Sequence, residues 1–155
     1  MSESVTSAAP GSVDAPQPSV GVPERLVIVV NEALAPGHLA NAAAVAGLIV
    51  GAKMPYLLGA DLADADGVKH TGIYTTGLPI LRATATTLAR LRSQAGERGL
   101  GICEFPALAQ TTNSYEELTA LVARTKTENL TCAALAIFGP KKAVNRLTGS
   151  LPLLR

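Results

Sequence analysis

The chain has 155 residues, of which 48% are hydrophobic and only 16% charged, with a formal net charge of +1. That length and apolarity suffice for one domain with a real core, and they exclude a chain that is disordered throughout. The near-neutral charge excludes an autonomous, strongly electrostatic nucleic-acid binder, and aromatics at 3% with no Trp leave little for a base-stacking platform.

Residues 1–23 are rich in Ser, Pro, Ala and Gly and have no apolar periodicity. Such a segment cannot offset its ordering entropy, which predicts a disordered tail over 1–23 and a single domain over 24–155. Leu26-Val27-Ile28-Val29-Val30 is a continuous apolar run, the pattern of a strand buried on both faces. Asn31 to Gly37 reads as a loop. Residues 38–51 read as a helix apolar nearly all round, which belongs in the interior and not on the surface.

Residues 55–59 predict a short strand, and Val68 to Tyr74 a hairpin arm. Asp61, Asp64, Asp66 and Gly67 lie between them. Their spacing lacks the bidentate Glu and the alternating ligands of a calcium loop, so it reads as a surface turn. Leu78 to Leu81 is another short strand. Thr84 to Arg98 is an amphipathic helix with Leu88, Leu91 and Ala95 on one face, stopped by Gly99. Leu100 to Glu104 is a strand, and 106–112 a short helical turn. Ser114 with Glu117 fits a capping box opening a helix to about Thr125. Thr131 to Phe138 is a second fully buried strand, and Lys141 to Leu147 a last short helix closed by Gly149. The alternation of elements and the uniformly apolar strands predict an α/β fold: a mixed, mainly parallel sheet with helices on both faces.

Cys103 and Cys132 form no C-x-x-C pair and have no His at ligand spacing, so they read as reduced core residues. No metal or cofactor is implied. G-x-G-x-x-G, P-loop, G-x-S-x-G and H-E-x-x-H motifs are all absent. The longest apolar stretch, Leu39 to Val50, is interrupted by Asn41 and too short to span a membrane. The N-terminus lacks a basic start followed by an apolar run, so a cytoplasmic location is expected.

Three polar clusters stand out against this background. The first is Asn31, His38 and Asn41. His38 and Asn41 are three apart in the first turn of a helix, where free N–H groups and the dipole favour an anion. Asn41 is a poor helix former within A-N-A-A-A-V-A, and burying its amide without partners is costly. The second cluster is Gln110-Thr111-Thr112-Asn113. The third is Gly139-Pro140-Lys141-Lys142 with Asn145. Each follows the carboxyl end of an apolar strand. If those strands run parallel, Asn31, His38, Asn41, Thr111, Thr112, Lys141 and Asn145 line one pocket at the carboxyl edge of the sheet. Taken singly, each also has a structural reading as a cap or turn residue. After Glu128 no acidic residue occurs, while Lys141, Lys142, Arg146 and Arg155 follow. That asymmetry is either a local anion site or a solvated basic face.

V-I-V-V-N-E-A-L-A-P-G-H-L-A-N-A-A-A-V-A-G (27–47) and F-G-P-K-K-A-V-N-R-L-T-G-S-L-P-L-L-R (138–155) resemble a bacterial family called domain of unknown function 2000. The resemblance spans Arg25 to Arg155. It implies a fold like that of type II peptidyl-tRNA hydrolases and a homodimer. Those hydrolases share the opening strand, Gly-containing loop and small-residue helix. They also share the Gly-Pro segment and the Thr-Gly-x-Leu tail, matched here by Gly139-Pro140 and Thr148-Gly149-Ser150-Leu151. Their Gly-Lys-x-Lys helix start is Gly37-His38-Leu39-Ala40 in this chain. Their Asp-Ala-Gly-x-Thr loop corresponds to Pro106 to Thr112, which keeps a Thr but no acid. The resemblance therefore implies a hydrolase-like or transferase-like protein acting on an acyl or peptidyl ester, tRNA-linked in one form, without the lysine pair. His38 would be the general acid/base, with Asn41 and Thr111 orienting the substrate. The alternatives are a non-catalytic module binding a small anion or nucleotide on the same scaffold, and a purely structural oligomer.

Overall fold

The computed structural model describes residues 22–155. The tail expected over 1–23 lies outside them up to residue 21. Strand β1 (Arg25–Asn31) is buried on both sides. Its alternate residues divide the core: Leu26, Ile28 and Val30 enter one cluster, Val27 and Val29 the other. Helix α1 (Pro36–Lys53) lies on the first face through Ala42, Ala46 and Val50.

A 3-10 turn (Pro55–Leu57) follows, then a small hairpin of β2 (Leu62–Ala63) and β3 (Lys69–His70). Next come β4 (Ile80–Ala83) and α2 (Ala85–Glu97). Thr84 caps α2 by accepting the Thr87 N–H at 3.2 Å. Strand β5 (Gly101–Pro106) leads through a 3-10 turn (Ala107–Gln110) to α3 (Tyr115–Arg124), then β6 (Cys132–Gly139) and α4 (Lys141–Thr148). Leu88, Leu91 and Ala95 of α2, with Val144 and Leu147 of α4, cover the second face of the sheet.

The strand order is β4-β1-β6-β5. Among the described residues only β1 and β4 pair in parallel; β6 pairs antiparallel with both β1 and β5. The α/β class with helices on both faces holds, but the expected mainly parallel sheet is mainly antiparallel. A continuous apolar run reports burial on both faces and says nothing of direction. Helices on either side of β6 produce the same pattern whichever way it runs. The consequence for function is direct. Strands β1, β4 and β5 end at one edge of the sheet, whereas β6 ends at the opposite edge, where Gly139 pairs with Arg25.

Two local expectations also change. Within residues 55–59, Pro55–Leu57 form the 3-10 turn and Leu58 alone bridges Tyr74. The exposed side of α1, with Ala40, Ala44, Leu48 and Ala52, is uncovered in the single chain, although the sequence places the whole helix inside. The acidic turn has a structural explanation. Asp64 Oδ1 accepts the N–H groups of Asp66 and Val68 at 3.0 and 2.9 Å, and its Oδ2 lies 2.9 Å from His70 Nε2. Cys103 and Cys132 are free and buried. Among the described residues, no helix is long and apolar enough to cross a membrane.

Candidate functional site

At the edge where β1, β4 and β5 end, Asn31 closes β1. Its Oδ1 accepts the Ala33 N–H at 3.1 Å, which turns the chain out of the strand. The Glu32 N–H donates to the Ala83 carbonyl of β4 at 2.9 Å, and Arg82 lies 3.8 Å from the Glu32 carboxylate. Helix α1 then opens with Pro36 in its first turn and no capping side chain on Ala35. His38 and Asn41 are both exposed on that opening turn. Asn41 is thus not the costly buried amide that its setting in the sequence suggests.

Gln110 joins this turn to the segment after β5. Its Nε2 donates to the His38 carbonyl at 2.8 Å and to Asn41 Oδ1 at 3.3 Å. Thr111 Oγ1 donates to the Leu108 carbonyl at 2.9 Å and Thr112 Oγ1 to the Ala109 carbonyl at 3.5 Å. Both hydroxyl protons therefore serve the 3-10 turn, leaving their oxygens as acceptors. The arrangement leaves Asn41 Nδ2, Gln110 Oε1 and the His38 imidazole without partners among the described residues. Asn31, His38, Asn41, Thr111 and Thr112 share this edge.

Lys141 and Asn145 do not. They follow β6 and lie at the other end of the sheet, where the Lys141 N–H donates to Glu24 Oε2 at 2.8 Å. The length of β1 separates the two ends by about 20 Å, at about 3.3 Å per residue. The single pocket expected from the sequence is therefore split, because the direction of β6 is reversed. Gln110, in contrast, is the organising residue of the edge. Its signal was present as one amide in the apolar run A-L-A-Q, but only the contact across to α1 gives it a role.

Away from this edge, a cleft of about 820 Å³ opens between α2 and the segment before β6. It is lined by Arg92, Ser93, Glu104, Lys126, Thr127 and Glu128, among others. Arg92 donates to the Leu130 and Thr127 carbonyls, both at 2.9 Å, and lies 3.6 Å from Glu104. Burial pushes the nearby Cys132 thiol up to about 11; Glu104 adds to this and Arg92 opposes it. Burial likewise raises Cys103. Both thiols are held protonated, which removes them as nucleophiles at neutral pH. The one visible signal of this cleft in the sequence is a Glu inside the apolar strand I-C-E-F.

A family model described as "Protein of unknown function (DUF2000)" matches residues 24–155. Thirteen solved chains match the structure. One is a protein of unknown function, Atu0240, from Agrobacterium tumefaciens strain C58. It superposes with a TM-score of 0.76 at 13% identity, covering 84% of this chain and 97% of that one. At such low identity the likeness shows the fold alone. No curated protein matches the chain.

Proposed function

The chain belongs to the DUF2000 family, whose description assigns no chemistry, and we propose that its chemistry is recognition of an acyl or peptidyl group at the Asn41–Gln110 edge of the sheet. The observation that carries this reading is the Gln110 amide, which donates to the first turn of α1 at two points. It occupies the Asn41 Oδ1 and leaves the Asn41 Nδ2 donor and the Gln110 Oε1 acceptor without partners among the described residues. A free donor and a free acceptor on two linked amides can complement an amide or an ester with its adjoining N–H. Asn31, Thr111 and Thr112 extend the polar rim. His38 places an imidazole on the same turn for hydrolase-like or transferase-like chemistry on an acyl ester.

A second reading, a non-catalytic module for a small anion or nucleotide, is favoured by one observation. No side chain among the described residues hydrogen-bonds to the His38 imidazole, so nothing orients it as a catalytic base requires. We also propose that the scaffold is like that of type II peptidyl-tRNA hydrolases. It is supported by the opening strand, Gly37 and small-residue helix, and by the Gly139-Pro140 and Thr148-Gly149-Ser150-Leu151 segments. Cleavage of peptidyl-tRNA is expected to be weak, since Gly37-His38-Leu39-Ala40 and Pro106 to Thr112 lack the lysines and the carboxylate. We also propose a homodimer, in which the exposed side of α1 packs against its copy.

The test is a titration of the isotope-labelled protein with N-acetyl-alanine methyl ester, read by amide shifts and by ester hydrolysis across pH 5 to 9. Shifts confined to residues 37–41 and 110–113 support the site. A hydrolysis rate abolished by His38→Ala makes it an enzyme. Binding without turnover selects the second reading, and shifts elsewhere reject the site.

A further inference from the structure

We infer that a groove at the opposite end of the sheet, between the C-terminal end of α2 and α4, binds a small ligand bearing two or more phosphate groups. The groove holds about 440 Å³ and is lined by Arg98, Pro140, Lys142, Ala143 and Arg146. Three cations converge there and no carboxylate lines it. None of the three is in an ion pair among the described residues, whose bridges involve only His70, Arg82 and Arg92 as the basic partners. The carboxylates next to them in the chain or fold are engaged elsewhere. Glu97 accepts the Ser93 hydroxyl at 3.0 Å, and Glu24 accepts the Lys141 N–H.

Lys142 and Arg146 are four apart on α4, a spacing at which like charges repel. Arg98 brings a third positive charge from a separate element. Folding alone gains nothing from this convergence; an anion relieves it. Gly99, at φ +64°, reverses the chain straight after Arg98, and Leu100 is buried. Gly139 ends β6 beside Leu100 at φ +150°, a backbone conformation that residues with a Cβ rarely adopt.

Charge arithmetic selects the ligand class. Three cations exceed what one phosphate neutralises, and they match a di- or triphosphate. They fall short of the roughly 6–10 phosphate contacts of a sequence-independent nucleic-acid binder. No aromatic side chain lines the groove to stack a base, so the phosphates are the recognised element. The site lies about 20 Å from Asn41 and Gln110 by the length of β1, and it stands or falls independently of the acyl site.

The experiment is calorimetric titration with inorganic tripolyphosphate at low salt, with orthophosphate, ATP and a short single-stranded RNA as separate arms. Tripolyphosphate should bind saturably and shift the amides of Arg98, Gly99 and Lys142 to Arg146, with orthophosphate weaker. ATP binding equal to tripolyphosphate assigns recognition to the phosphates alone; tighter ATP binding makes the ligand a nucleotide, still within the inferred class. Lys142→Ala and Arg146→Ala should each weaken binding about fivefold, while Lys126→Ala, in the other cleft, leaves it unchanged. All three side chains are exposed, so the variants should melt no lower than the parent. Absence of saturable binding at millimolar tripolyphosphate, unchanged affinity in Lys142→Ala/Arg146→Ala, or RNA binding more tightly than ATP would each overturn the inference.

Discussion

Arg92 holds together segments that are distant in the chain. Its guanidinium satisfies the Leu130 and Thr127 carbonyls and faces Glu104, with only 14% of its side chain accessible. Replacing it with Leu leaves two carbonyls and a half-buried carboxylate without their partner. The expected loss is about 2–4 kcal/mol in urea unfolding; a change under about 0.5 kcal/mol would mean that water replaces the guanidinium at no cost. Cys132 gives a pH prediction. Its thiol is pushed from an ordinary value of 9.0 up to about 11, chiefly by burial. A pKa raised in the folded state gives stability that is fully present below the unfolded value and is lost as pH rises toward the folded one. Stability should therefore decline between pH 9 and 11, and decline less in Cys132→Ala. Equal declines in parent and variant would assign the alkaline loss to other groups.

At the scale of elements, burial was legible and direction was not. β1 and β6 stand out in the sequence because every position from Leu26 to Val30 and from Cys132 to Ile137 is buried, and burial on both faces removes any alternation. Helix α2 was readable from its 3.6-residue pattern, which the structure buries at Leu88, Leu91 and Ala95. The start of α3 was readable from Ser114, whose Oγ accepts the Glu117 N–H at 3.1 Å. The reciprocal bond differs by one residue: Glu117 Oε2 accepts from Asn113. The 55–59 segment was misread because an apolar pentapeptide carries no information on whether Pro55 begins a strand or a turn. Two glycines separate packing from propensity. Gly96 in α2 has open space where a Cβ would go, and Gly96→Ala should raise stability by about 0.5 kcal/mol. At Gly72 a Cβ would collide with the backbone carbonyls of Gly59 and Ala60. Gly72→Ala should lower the melting temperature, and an unchanged melt would show that this loop pair readily moves apart.

For the whole molecule, one reversed strand decides how the polar residues are distributed. The sequence placed three clusters after three strand ends, which was correct locally. It could not show that β6 runs against β1, so it joined residues that lie about 20 Å apart. Reaching the edge required a contact between positions 41 and 110, which no local pattern encodes. The uncovered side of α1 makes the homodimer testable. Leu48 is 73% exposed there, in line with Ala44 and Ala52. Light scattering should give a dimer mass for the parent and a monomer mass for Leu48→Glu; a monomeric parent at high concentration would remove the dimer from the account.

We propose that the Asn41 side chain serves a ligand and not the fold. The most direct measurement compares the affinity of Asn41→Ala for N-acetyl-alanine methyl ester with its melting temperature. Because Asn41 is exposed, its stability should stay within about 0.5 kcal/mol of the parent. Losing the unpartnered amide donor should weaken binding about fivefold or more. A variant that melts well below the parent while binding the ester just as tightly would contradict the claim, because the Asn41–Gln110 bond would then be only a structural tie between α1 and the turn after β5.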